Sequence, residues 1–166
     1  MRKVIIAVLV VLILITLAAF LGPRMLRAAA PTQPIAFSHK LHAGDRAIPC
    51  MFCHTSVSKS NIANVPSEEI CAGCHRVVRP DSQQVQKLMN YFNTRQPVPW
   101  QRVYRVPDFV YFSHQMHVAN NVACESCHGN VSGMDRISQA QPITMGWCLE
   151  CHRSRGAPTD CWTCHK

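Results

Sequence analysis

FSHQMHVANNVACESCHG, residues 112–129, sets two histidines three apart and follows them with a Cys-x-x-Cys-His. In Cys124-Glu125-Ser126-Cys127-His128 the two thiols can add to the two vinyl groups of a haem while the adjacent imidazole reaches the iron, the c-type attachment pattern. Four more such motifs occur: Cys50/Cys53/His54, Cys71/Cys74/His75, Cys148/Cys151/His152 and Cys161/Cys164/His165. Together they use all ten cysteines. Zinc ribbons and disulfide frameworks also consume paired cysteines, but neither needs a histidine after every second one. Five covalently attached haem c groups are therefore expected.

The chain has nine histidines, and removing the five that follow the motifs leaves His39, His42, His114 and His117. These four are two His-x-x-His pairs in matching contexts, Phe37-Ser38-His39-Lys40-Leu41-His42 and Phe112-Ser113-His114-Gln115-Met116-His117. Residues three apart on a helical turn project from one side but diverge by about 60°, so one pair can serve two neighbouring irons. On an internal-repeat reading, His39 is assigned to the His54 haem, His42 to His75, His114 to His128 and His117 to His152. Surface histidines on a basic protein are the plain alternative.

Five irons and four distal histidines leave one iron without an imidazole. Methionine is the usual substitute and raises the reduction potential. Met1 and Met25 belong to the N-terminal segment, Met51 and Met116 lie inside motif segments, and Met89 fits the apolar face of a helix expected over residues 82–93. Met145 is then the first candidate and Met134 the second, with the His165 haem as recipient. An open coordination site is the third possibility, and it would turn an electron carrier into a catalyst.

Val4–Leu21 has Thr16 as its only polar member, flanked by Arg2-Lys3 and Gly22-Pro23. At 1.5 Å per residue this run is about 27 Å long, enough to span a hydrocarbon core. A single-pass anchor is expected, with a cleavable signal peptide ending near Ala28-Ala29-Ala30 as the competing reading. Haem attachment outside the bacterial cytoplasmic membrane sets the orientation, with the N-terminus in and the haem domain on the periplasmic side.

The remaining residues divide into a first haem unit of two haems (31–78), a helix and proline-punctuated connector (79–111), and a second haem unit of three (112–166); the anchor is 1–30. Each unit opens Phe-Ser-His-x-x-His, which reads as a duplication with one appended haem. The fold class expected is a multihaem cytochrome c of duplicated c7/c3-like units, poor in regular secondary structure, with short helices plus the transmembrane helix. The net charge of +8 would suit nucleic acid. Haem propionates and ferric centres bring that charge near neutrality, so nucleic-acid binding is set aside.

The segments Trp100-Gln-Arg-Val-Tyr-Arg-Val-Pro-Asp-Phe-Val-Tyr-Phe-Ser-His114 and Met145-Gly-Trp-Cys-Leu-Glu-Cys-His-Arg153, with the duplicated units and the anchor, resemble the pentahaem cytochrome subunit of alternative complex III. The resemblance implies an electron-transfer subunit that is not an enzyme by itself. Its partners would be an iron–sulfur, molybdopterin-enzyme-like subunit, quinol-binding membrane subunits and a monohaem cytochrome c, with a soluble cytochrome c or blue-copper acceptor. A stand-alone membrane-anchored quinol dehydrogenase and a multihaem reductase with one open haem are the alternatives.

Overall fold

The computed structural model describes the backbone of residues 2–27 and 30–165, with all side chains there except those of 2, 4, 7 and 20–27. The chain forms two compact units, Met1–Ala30 and Pro31–Lys166.

The first unit is one helix, α1 (Arg2–Arg27). Its described apolar residues, from Ile5 to Leu17, are all about half exposed, so no single face is set apart for a core. Thr16 satisfies its hydroxyl within the helix, donating to the carbonyls of Leu12 and Ile13. Among the described residues no helix is long and apolar enough to cross a membrane. The unbroken run of described side chains in α1 covers only 8–19, and the span expected at Val4–Leu21 extends outside it.

The second unit contains no strand among the described residues and is built from short helices: α2 (Cys50–Cys53), α3 (Glu68–His75), α4 (Gln83–Thr94), α5 (His114–Ala119), α6 (Cys124–His128), α7 (Met145–Ser154) and α8 (Cys161–Cys164). Five of these carry the Cys-x-x-Cys pairs. Extended residues stop them in front, Pro49 before α2 and Ala123 before α6, and non-helical residues stop them behind, His54 after α2 and Gly129 at φ 67° after α6.

The helix expected over 82–93 is α4, and Val85 and Leu88 are its buried residues. It ends with Arg95 in the left-handed region, the Arg95 and Gln96 amides returning to the carbonyls of Phe92 and Tyr91, and Pro97 prevents continuation. Ile35, Leu88 and Val98 form a small cluster, with Cys71, Tyr91 and Trp100 packed against it. Val98 is fixed there by its amide donating to Glu68 at 2.8 Å. The buried apolar residues described are only Ile35, Ala72, Val85, Leu88 and Val98, far fewer than an ordinary domain of this length requires.

Two stretches repeat one local design. Phe37–Ile48 and Phe112–Val122 each make a turn bearing the histidine pair, then a residue at positive φ, Ala47 at 53° and Asn121 at 54°. The first stretch is one residue longer, and the excess is absorbed inside the turn: Lys40–Asp45 is π-helical where His114–Ala119 is α-helical.

Candidate haem-binding sites

Around each histidine pair the flanking Phe-Ser has a defined role. The Phe37 ring lies between the two imidazoles, edge-on to His39 at 4.8 Å and stacked on His42 at 4.4 Å. Phe112 repeats this with His114 at 4.8 Å and His117 at 4.5 Å. The serine hydroxyls accept from the Leu41 and Met116 amides, starting the turns. The serine carbonyls accept from Nδ1 of His42 at 2.8 Å and of His117 at 2.7 Å.

The pairs face the motif histidines. Ring centroids are 6.1 Å apart for His42 and His75, 6.4 Å for His114 and His128, and 6.0 Å for His117 and His152. An imidazole nitrogen binds a transition metal at about 2 Å with the ring centroid about 1 Å behind it, so two imidazoles trans across one metal have centroids about 6 Å apart. His39 lies beside His54, whose ring acts with that of His42 and with burial, the largest cause, to push the His39 pKa down to about 4. Burial, then His114 and His54, also lowers His128. Both effects keep the imidazole neutral, the form that ligates metals.

Seven of the nine histidines direct Nδ1 at a backbone carbonyl. Besides His42 and His117, these are His54 to Asn64 (2.7 Å), His75 to Val78 (2.9 Å), His114 to Asn61 (3.0 Å), His152 to Pro158 (2.6 Å) and His165 to Phe109 (3.1 Å). An Nδ1–H so engaged fixes the tautomer that leaves the Nε2 lone pair free for a metal. His39 Nδ1 is buried without a partner.

The thiols sit in neighbouring sets. Partial burial raises Cys53, Cys71, Cys124, Cys127 and Cys148 above the ordinary thiol range, and adjacent thiols raise them further. Large apolar side chains stand open beside the motifs, among them Phe52, Val65, Val77, Phe109 and Trp162. Paired thiols, opposed imidazoles with free Nε2 atoms and uncovered apolar walls in a unit with little core of its own together fit c-type haem.

The proline-punctuated connector takes part as well. The Tyr104 ring lies edge-on to His128 at 4.5 Å, while its hydroxyl accepts from the Ala140 amide at 2.8 Å and donates to the Ser138 carbonyl at 3.3 Å. Phe109 packs by His165 at 5.7 Å, and the Tyr111 amide donates to the Cys164 carbonyl at 2.8 Å.

The two methionine candidates fall in different places. The Met134 carbonyl accepts from the Lys40 amide at 2.9 Å, and its side chain is half-buried near Gly129 in the third motif region, where His114 and His128 already oppose each other. Met145 opens α7 one turn before Cys148, and the Cys148 thiol adjoins Cys164 of the fifth motif.

Some of these features were not anticipated from sequence. The repeated Phe-Ser preface is visible in the sequence, but its roles as wedge and as carbonyl acceptor for the imidazole are not. The carbonyls of Asn61, Asn64, Val78, Phe109 and Pro158 carry no residue-type signal, because every residue offers one.

Residues 110–166 match the family model of cytochrome c7 and related cytochrome c. The chain is also 29% identical over 161 aligned positions, covering 81% of itself and 77% of the relative, to the multihaem cytochrome c subunit of menaquinone reductase from Nitratidesulfovibrio vulgaris Hildenborough. Motifs, opposed imidazoles and these likenesses agree with a multihaem cytochrome c that is c7-like over residues 110–166.

Proposed function

We propose that the chain carries five haems and serves as the electron wire of a membrane-bound quinone oxidoreductase, making no substrate site of its own. The observation that carries this reading is the three imidazole pairs at 6.0–6.4 Å, five of whose six rings are anchored on backbone carbonyls. A haem iron held by two such imidazoles would have no position left for a substrate. When bound, each haem supplies a one-electron ferric/ferrous couple. The residues of this chain would hold the irons and set their potentials.

Met145 is the proposed ligand opposite His165, supported by its place beside the fourth and fifth motifs. α1 is proposed as a single-pass anchor in the bacterial cytoplasmic membrane, with the motif-bearing unit on the periplasmic side and the iron–sulfur, quinol-binding and monohaem subunits as neighbours. The connector and α7 segments favour the quinol-oxidising direction of alternative complex III, towards a soluble cytochrome c or blue-copper acceptor. The name of the menaquinone reductase relative favours the second reading, electron delivery to menaquinone.

Haem content is the first test: a haemochrome assay should return five per chain, and carbon monoxide should leave the reduced spectrum nearly unchanged. Four haems, or a large adduct, defeats the wire reading. Native membranes should yield a complex that reduces a c-type acceptor with quinol; activity only from a reduced donor to menaquinone selects the second reading. Replacing Met145 by His should lower the highest reduction potential, and an effect of Met134→His instead would move the assignment.

A further inference from the structure

The two halves of the second unit hold each other. The loop after the first motif reaches the second histidine pair: the Ser60 carbonyl accepts from the Gln115 amide at 3.1 Å, and the Asn61 carbonyl from the His114 amide at 3.1 Å and from its Nδ1 at 3.0 Å. The loop after the third motif reaches the first pair: the Met134 carbonyl accepts from the Lys40 amide at 2.9 Å and Asp135 from the Ser38 hydroxyl at 2.7 Å. Ser60 stands to Cys50 as Met134 stands to Cys124, so one contact is made twice with the roles of the halves exchanged. Such reciprocity is the mark of an isologous, two-fold-like interface. It places the first and third motifs at the centre, where the Cys124 thiol adjoins that of Cys50 and His128 neighbours His54.

Outward from that centre the two halves again agree. The first cysteines of the two central motifs adjoin, Cys50 beside Cys124. The second cysteines adjoin the outer motifs, Cys53 beside Cys74 and Cys71 of the second, and Cys127 beside Cys151 and Cys148 of the fourth. The histidine pairs bridge the same neighbours, His39 and His42 to the first and second motifs, His114 and His117 to the third and fourth. The fifth motif joins beyond the fourth, through Cys148 and Cys164.

From these contacts we infer that the five attachment motifs form one unbranched row in the order second, first, third, fourth, fifth. The chain numbering is therefore inverted in the first half, and the row ends at the His75 and His165 motifs. This inference rests on the five-haem reading above, which the haemochrome assay tests separately and which stands whatever the order.

The order is tested on the full-length holoprotein in detergent, fully reduced and hence diamagnetic, by nuclear Overhauser contacts between haem substituents. Four inter-haem adjacencies are expected, with two haems having a single neighbour each. Three single-neighbour haems, or none, overturns the row. Assignment comes from C161S/C164S, which should lose one adjacency only, and from C124S/C127S, which should lose two and leave two separate pairs. If C124S/C127S loses only one adjacency, or C161S/C164S loses two, the order is wrong. Should a variant fail to load haem, the neighbour pattern of the intact protein decides: two single-neighbour haems support the row, and any other number overturns it.

Discussion

The first half of the haem-bearing unit and the second use nearly the same words, Phe-Ser-His-x-x-His and then Cys-x-x-Cys-His, but they hold their first distal histidine differently. His114 is anchored by the Asn61 carbonyl. At the equivalent place in the other half the loop presents Asp135, whose carboxylate takes the Ser38 hydroxyl and leaves His39 Nδ1 buried and unpartnered. A ring tied through Nδ1 is fixed in tautomer and orientation, whereas a ring without that bond is placed by packing alone. Here packing means the Phe37 wedge and burial beside His54. The repeat conserves the shape of the site and varies the hydrogen bond behind it, which is where ligand basicity and potential are set.

The largest effect expected is also the one on which the halves should agree. His42→Ala and His117→Ala each remove a ring whose partner sits about 6 Å away across the site. Each variant should gain one carbon monoxide-binding haem per chain, read from the reduced difference spectrum. If only one of the two gains it, the equivalence of the pairs fails.

The halves part at the clasp. A Cβ on Gly44 would run into the Ser132 carbonyl, a backbone atom that cannot step aside easily. Gly44→Ala should destabilise the protein by about 1–3 kcal/mol through overpacking. The change Ala119→Gly at the matching register should cost no more than about 1 kcal/mol, the ordinary helix penalty. Thermal melts of the two variants compare them directly, and equal losses would mean that the π-helical turn creates no special contact.

Tyr104→Phe keeps the ring against His128 and removes both hydrogen bonds of the hydroxyl, for about 1–2 kcal/mol in the same assay. Among the described residues no connector tyrosine lies against His54, so the His128 haem alone should shift in a redox titration. A shift of the His54 haem instead would show that the two central sites are not electronically distinct.

Much of this was legible in the sequence because haem attachment is written in covalent chemistry. Thiol spacing and the following imidazole admit few readings, and the helix at 83–94 follows from its apolar period. The π-helical turn shows only as one extra residue between His42 and Cys50, which nothing local distinguishes from a longer loop. The clasp was not legible, since it is made by backbone carbonyls at large sequence separation. Nor was the row order, which inverts the first two motifs because the dyad-like contact lies between the first and third.

The smallest effect concerns the motif helices. α2 and α6, at the centre, begin after Pro49 and Ala123 without a side-chain cap, whereas α8 at the end begins with Asp160. The Asp160 carboxylate accepts from the Thr163 hydroxyl at 2.7 Å and from its amide at 3.1 Å. Its pKa is lowered, chiefly by that side-chain bond. A carboxyl depressed on folding stabilises the folded state above its unfolded pKa and loses that contribution as pH falls through the folded one. The gap in melting temperature between the natural protein and Asp160→Ala should therefore be present at neutral pH and shrink in acid. A gap that persists unchanged below the carboxylate range would show that the hydroxyl-bonded geometry, and not the charge at the helix start, holds the terminal motif.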